Sequence, residues 1–257
     1  MGAPMLAALQ RAGFAVRGLD IRPPGAFGPL RDVMTTDRRA FNAGLETALT
    51  VVRDIEQTED VLFGPDGLAT APTLKSLLIC STLSPRYVRD LPARLPADLT
   101  LIDAPMSGAQ IAAKEARLSF MLGGDAQAVE AHQPLFDAMG THIHRMGPFG
   151  SGMQAKVLNN LLAAANTATT RLVLDWAETT DLNETELLNL IHTSSGQNWF
   201  ASNYNSIEFA RDGLAPDNTI SILVKDVESA LDAAPPGADL SLPKTIQNTI
   251  RALKPLP

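Results

Sequence analysis

The sequence predicts an α/β domain over about residues 1–148, followed by an all-helical domain over 149–257. Two observations carry this. Short β-rich apolar runs alternate with helical patterns through the first half, which implies βαβ crossovers and a largely parallel, doubly wound sheet. Past the glycine-rich segment Gly147–Gly152 (GPFGSG), only helical periodicity remains.

The elements follow in order. MGAPMLAALQRAGFAVRGLD reads as a glycine, an amphipathic helix, a turn at Ala12–Gly13 and a strand over Phe14–Leu19 that ends at Asp20. Pro23–Pro29 (PPGAFGP) holds three prolines and two glycines and is expected to lack regular structure. Further strands are expected at Leu49–Val52, Ser76–Cys80, Leu99–Ile102, Leu118–Leu122 and Ile143–Met146. Helices Ile55–Leu62, Pro85–Leu91 and Ala126–Ala138 lie between them. In the second half a long helix runs from Met153 to about Thr180, apolar at Val157, Leu161, Leu162, Ala165, Leu172 and Trp176. Helices over Glu184–His192, Asn198–Ala210, Ile220–Ala233 and Pro243–Lys254 complete it.

Composition excludes several classes. Of 257 residues, 45% are hydrophobic and 19% charged, and the net charge of −7 comes without any basic run, so nucleic acid is not an expected partner. No apolar run approaches the roughly 18 residues of a membrane span, and the N-terminus lacks a secretory pattern. The single cysteine, Cys80, cannot form an internal disulfide and fits a reducing compartment, so a cytoplasmic protein is expected. His142 and His144 share one face of a strand, with His132 upstream, but no further ligand falls in register and no metal site is expected. There is no P-loop and no nucleophile elbow.

The chemistry concentrates in a few loops. Gly2 at the start of a helix, Pro4 in its first turn and Asp20 closing the next strand suit the tail of a glycine-rich phosphate turn and a ribose-binding carboxylate. Asp20 favours NAD, because it repels a 2′-phosphate; Arg22, two residues on, is the group that could receive one. Asp20 can equally be a solvated strand-end carboxylate. Val52–Arg53 and Ser81–Pro85 (STLSP) follow strands at the edge where a cofactor sits, although Ser84–Pro85 is also an ordinary helix start.

In DAPMSGAQIAAKEARLSFMLGG, a tight turn at Ser107–Gly108–Ala109 offers a hydroxyl and main-chain N–H groups to a small carboxylate. In GPFGSGMQAKVLNN, Lys156 and Asn160 are four apart and share a helical face, with Asn159 about 100° round. A lysine in that apolar helix either is solvated or, if buried, needs a partner and suits proton transfer.

The motifs MGAPML…AGFAV…D, VVRD, STLSP, DAPMSGA, GPFGSGMQAKVLNN and KDVESAL stand in the order and spacing of the β-hydroxyacid dehydrogenase family. That family includes 3-hydroxyisobutyrate dehydrogenase and tartronate semialdehyde reductase and is related to 6-phosphogluconate dehydrogenase. The resemblance covers nearly the whole chain. It implies a Rossmann-like NAD- or NADP-binding domain, with NAD favoured, and a helical domain for substrate and association, hence a homodimer or homotetramer. It also implies an oxidoreductase passing a hydride between nicotinamide and a small anionic hydroxy acid or its semialdehyde.

By the same resemblance, Lys156 is the catalytic lysine and Asn160 the asparagine that holds substrate, with Asn159 beside it. Ser107, Gly108 and Ala109 form the substrate-carboxylate loop, with Ala109 standing where relatives carry a second glycine. Gly2, Pro4, Met5, Asp20, Arg22, Val52, Arg53, Thr82 and Lys225 fall to the cofactor. Gln110, Ile111, Trp199, Phe200 and Asn203 are the expected lining of the substrate pocket. Relatives begin with a strand and Gly-x-Gly before the position of Met1. In the strand order 3-2-1-4-5-6 that strand lies between Phe14–Leu19 and Leu49–Val52, so a gap or a rearrangement is expected there. The alternative is a catalytically silent relative serving as a binding or oligomerisation module.

Overall fold

Helix α1 (Gly2–Arg11) forms on Met5, Ala8 and Leu9, whose i, i+3, i+4 spacing makes one buried stripe. It stops at Gly13, which takes φ 90° while its N–H returns to the carbonyl of Gln10. In the computed structural model, which describes residues 1–216 and 218–256, the chain forms two compact units, Met1–Lys156 and Val157–Pro257.

The first unit is built on a sheet in two pieces. Strand β1 (Gly18–Leu19) pairs in parallel with β2 (Met34–Thr35). Strands β3 (Thr47–Thr50), β4 (Ser76–Ile79) and β5 (Thr100–Asp103) form a parallel ladder. No ladder joins β1 to β3 among the described residues, and the interruption falls where the sequence reading puts its gap. Residues 14–17, expected to be strand, therefore stay outside any ladder, although Phe14 and Val16 still pack against the core. A strand exists through its partner, and apolar alternation alone does not supply one.

Beyond β5 the sheet is not parallel throughout. Strand β7 (Leu118–Gly124) runs antiparallel to β5, through Ile102↔Gly124 and Asp103↔Gly123, and antiparallel to β6 (Met106–Ser107). Strand β8 (Gly140–Gly147) returns parallel to β7. Among the described residues, several short elements escaped the sequence reading, including β2, β6, helix α2 (Arg38–Asn42) and helix α5 (Ala109–Lys114). Each is too short to show a period.

Helices cover both faces. Helix α3 (Ile55–Phe63) is capped by Asp54, which accepts from the Gln57 N–H, and α4 (Pro85–Asp90) by Ser84, which accepts from the Arg86 N–H. Helices α6 (Ala126–Ala131) and α7 (Gln133–Asp137) divide the single helix expected over 126–138, because Pro134 has no N–H to continue the ladder. Most of Pro23–Pro29, expected to be irregular, falls in the 3₁₀ segment Pro24–Val33, whose two turns are separated at Gly28 (φ 54°).

Strand alternation divides the core in two. Leu78, Cys80, Ile102, Phe120 and Phe136 pack with α1 on one face, and Leu62, Leu77, Ile79, Val88, Leu91 and Met153 on the other. Each such side chain contributes about 1.5–3 kcal/mol by leaving water.

Helix α8 (Ser151–Thr179) carries the chain into the second unit. Helices α9 (Glu184–His192), α11 (Thr219–Asp232) and α12 (Ser241–Arg251) follow, the first two capped by Asn183 and Asn218. The helix expected over 198–210 is only a single turn, α10 (Trp199–Ser202), and a 3₁₀ turn, Tyr204–Ser206. The chain breaks at Asn203, whose amide turns back to the carbonyl of Trp199.

Arg171, 4% exposed, ties this unit by donating to the carbonyls of Ala210, Asp212 and Lys254 at 2.8, 2.8 and 2.6 Å. No helix of the described residues is long and apolar enough to cross a membrane.

Candidate active site

The first cluster lies where β5, β6 and the start of α8 meet. Strand β5 ends at Asp103, and Pro105 and Met106 lead to Ser107 at the end of β6. Gly108 then turns the chain into α5 with φ 132°. A Cβ there falls 2.5 Å from the Cβ of Ala112, so only glycine makes this turn. Helix α5 begins at Ala109, whose side chain lies outside the described residues.

Lys156 projects from the second turn of α8 and is 7% exposed. Its ammonium donates to Ser107 Oγ at 2.9 Å. The solvated alternative for this lysine is therefore excluded. A buried ammonium needs a partner, and the partner lies in the loop expected to hold a carboxylate.

Asp103 is wholly buried and accepts the Gly150 N–H on Oδ1 at 2.7 Å and the Met153 N–H on Oδ2 at 2.5 Å. Burial pushes its carboxyl up to about 6, and the two N–H groups oppose that rise.

In the second unit Asn160 is buried and donates through Nδ2 to Asp226 Oδ2 at 2.5 Å. Asn159 donates to Asn160 Oδ1 at 3.3 Å. A carboxylate can only accept, so Asp226 fixes which end of the Asn160 amide faces it. Lys225 pairs with Asp226 Oδ1 at 2.9 Å. The sequence reading missed both aspartates. The signal for Asp226 was its place on the apolar stripe Ile220–Leu223–Val227–Ala230 of α11. The signal for Asp103 was an acid ending an apolar strand.

Of the residues expected at the cofactor, those of the first unit lie at the start of α1 or just after the carboxyl ends of β1, β3 and β4. Gly2 opens α1, and a Cβ there lies in ordinary contact, 3.6 Å, with Val51. Asp20 accepts from the Arg22 N–H at 2.9 Å and from its guanidinium at 3.1 Å on each oxygen, which holds the Asp20 carboxyl below the usual carboxylate range. Arg22 also covers the Phe27 ring. Val52 and Arg53 follow β3, with the Arg53 N–H on Gln57, and Thr82 follows β4 half-buried.

Two of the expected residues are packing groups. Met5 is 2% exposed in the core, and Phe200 is fully buried against Tyr204 and Phe209. Pro4 is half-buried in the first turn of α1. Ile111 and Trp199 are exposed, and the Asn203 amide is bound to the main chain.

A nicotinamide dinucleotide fits this edge. The hydroxyls of Thr50, which ends β3, and of Ser81, two residues past the end of the adjacent β4, are buried without a hydrogen-bond partner among the described residues. Parallel strand ends beside a helix N-terminus are where such ligands sit.

The comparisons agree. Residues 1–147 match the model of the NAD-binding domain of 6-phosphogluconate dehydrogenase. Residues 150–254 match the NAD-binding domain of NADP-dependent 3-hydroxyisobutyrate dehydrogenase. The chain is 33% identical over 209 residues to the NAD-dependent L-serine dehydrogenase of Pseudomonas aeruginosa, covering 80% of this chain and 70% of the relative. It is 29% identical over 239 residues to the L-threonate dehydrogenase of Cupriavidus necator, covering 91% and 80%. The 3-hydroxyisobutyrate dehydrogenase of Mycobacterium tuberculosis, solved with L-serine, superposes with a TM-score of 0.79 at 26% identity, over 96% of this chain and 88% of that one. Fold and family together define an oxidoreductase that uses a nicotinamide cofactor. The chain belongs to the β-hydroxyacid dehydrogenase family.

Proposed function

We propose that the chain oxidises a small hydroxy acid, 3-hydroxy or 2-hydroxy, or reduces the corresponding semialdehyde, with Lys156 as the proton-transferring group. The buried contact between Lys156 and Ser107 carries this reading. When bound, the nicotinamide supplies the hydride acceptor or donor. The amine of Lys156 takes the proton from the substrate hydroxyl during oxidation and returns it to the carbonyl oxygen during reduction. Ser107, Gly108 and the main chain of Ala109 hold the substrate carboxylate, and Asn160, with Asn159 beside it, orients the substrate oxygen.

On the cofactor side Gly2, Pro4 and the main chain of Met5 meet the pyrophosphate, Asp20 the ribose, and Val52, Arg53, Thr82 and Lys225 the remainder. NAD is the preferred form. Arg22, two residues on and suited to a 2′-phosphate, is already paired with that carboxylate. The functional division falls near residue 148, cofactor before it and substrate and association after it, in a cytoplasmic enzyme.

The second unit also supports self-association. Leu158, Leu162, Leu172, Val173 and Trp176 are all exposed on α8, and their spacing confines them to one face of the helix. A homodimer or homotetramer covers that stripe. Light scattering tests it, and a monomer at working concentration contradicts it.

Isothermal titration of NADH and NADPH, followed by a panel of small hydroxy acids with both cofactors, tests the main reading. Saturable NADH binding with turnover of at least one 3- or 2-hydroxy acid is expected. No turnover on the whole panel, with cofactor bound, rejects the substrate class.

A further inference from the structure

Asp103 joins the two elements that carry the reacting pair. It ends β5 four residues before Ser107, and its side chain receives the main-chain N–H groups of Gly150 and Met153, the latter three residues before Lys156. Both oxygens accept main-chain N–H groups at the start of α8, one from Gly150 just before the helix and one from Met153 in its first turn. The backbone packs closely against Asp103 at two glycines. A Cβ on Gly123 falls 2.2 Å from Asp103 Oδ1, and one on Gly152 falls 2.2 Å from the carbonyl oxygen of Met121 and 3.0 Å from that of Asp103. Helix α8 thus begins in direct main-chain contact with β5 and β7. Gly147 and Gly150, with φ of 129° and 91°, bend the chain into that position.

A capping carboxylate normally lies beside its helix in sequence. This one lies 47 residues before the first N–H it accepts. An ordinary cap holds only its own helix; a cap taken from another element also fixes the position of that element.

We infer that Asp103 is a positioning residue for the reaction, a clamp that sets the reach from Lys156 Nζ to Ser107 Oγ by fixing the start of α8 to the strand that leads to Ser107. The inference rests on the assignment of Lys156 and Ser107 to the reaction. The carboxylate is buried and is held by the N–H groups of Gly150 and Met153, so its effect on the pair passes through the main chain. A misplacement of reacting groups by about 1 Å costs on the order of a hundredfold in rate.

The test is a double-mutant cycle on turnover. Asp103→Asn keeps the volume but places an N–H against one of the two N–H donors. We expect it to lower kcat by about tenfold or more, with the NADH dissociation constant within about twofold of the wild type. Ser107→Ala alone lowers kcat/KM, and in the Asp103→Asn background it costs little more, because the reach it depends on is already lost. A purely structural role gives effects that multiply, and it also moves NADH affinity.

Val129→Ala, a core truncation away from the pair, serves as the stability-matched control and keeps its kcat. If Asp103→Asn is not recovered folded, Gly150→Ala strains one donor instead of the acceptor and should show the same coupling with Ser107→Ala. Independent, multiplying effects in whichever variant folds overturn the clamp. Loss of turnover in Lys156→Ala and Ser107→Ala without coupling to Asp103 overturns the clamp alone. Full turnover in Lys156→Ala overturns the catalytic assignment beneath it.

Discussion

The ammonium of Lys156 donates to Ser107 Oγ at 2.9 Å, from a lysine 7% exposed, across 49 residues of chain. Proximity of this kind is bought with constraint. Gly108 must take a positive φ, the α8 start must lie against β5 and β7, and a carboxylate must be buried beneath both.

Replacing Gly108 tests the first constraint. Ala at φ 132°, with its Cβ 2.5 Å from that of Ala112, should lower stability by about 1–3 kcal/mol. Because the strain enters one residue after Ser107, kcat/KM should fall further than the melting shift explains. Urea melts and steady-state kinetics on the same preparation check this.

Asp103 should leave a signature in the pH dependence of stability. Burial raises its carboxyl from 3.8 to about 6, so between those values the folded state binds more protons than the unfolded chain. Its contribution to stability is therefore greatest below 3.8, falls as the pH rises through the window and is constant above it. Comparing urea midpoints of wild type and Asp103→Asn at several pH values isolates this group from the other carboxylates. The wild type should lose stability relative to the variant as the pH rises from about 4 to about 6.

Arg171 makes the helical unit vulnerable at one point. Its guanidinium serves three main-chain carbonyls, and burial lowers its affinity for its proton. Arg171→Leu should cost at least about 3 kcal/mol, because three carbonyls lose their donor together. The loss should appear in a thermal melt followed by Trp176 and Trp199 fluorescence.

Cys80 should be inert. Its thiol is buried in the core, and burial pushes it up to about 12. Ellman's reagent should react with it only on the timescale of unfolding. Rapid labelling in the native state contradicts the burial.

Much of this arrangement was legible in the chain, for identifiable reasons. The α8 pattern from Met153 to Thr180 was readable because its apolar period runs through many turns, and the observed helix is Ser151–Thr179. Glu184–His192 was readable from its helical period. Lys156 could be placed on a helical face, but whether that face was buried depends on Ser107, which no local pattern links to it. Asp103 and Asp226 stayed hidden because the groups that define their roles, Gly150, Met153 and Asn160, lie 47, 50 and 66 residues away. Residues 14–17 looked like strand because hydrophobic alternation records a face, whereas a ladder also needs a neighbour.

The role of Lys156 as the group that moves the proton can be measured on a single substitution. Turnover of Lys156→Ala should be compared with wild type on the best hydroxy acid of the panel, at saturating NAD, with melting temperature and NADH affinity measured on the same samples. A fall in kcat of about 10²–10⁴-fold, with melting temperature and NADH affinity near wild type, is the expected result. Turnover within a few-fold of wild type contradicts the account.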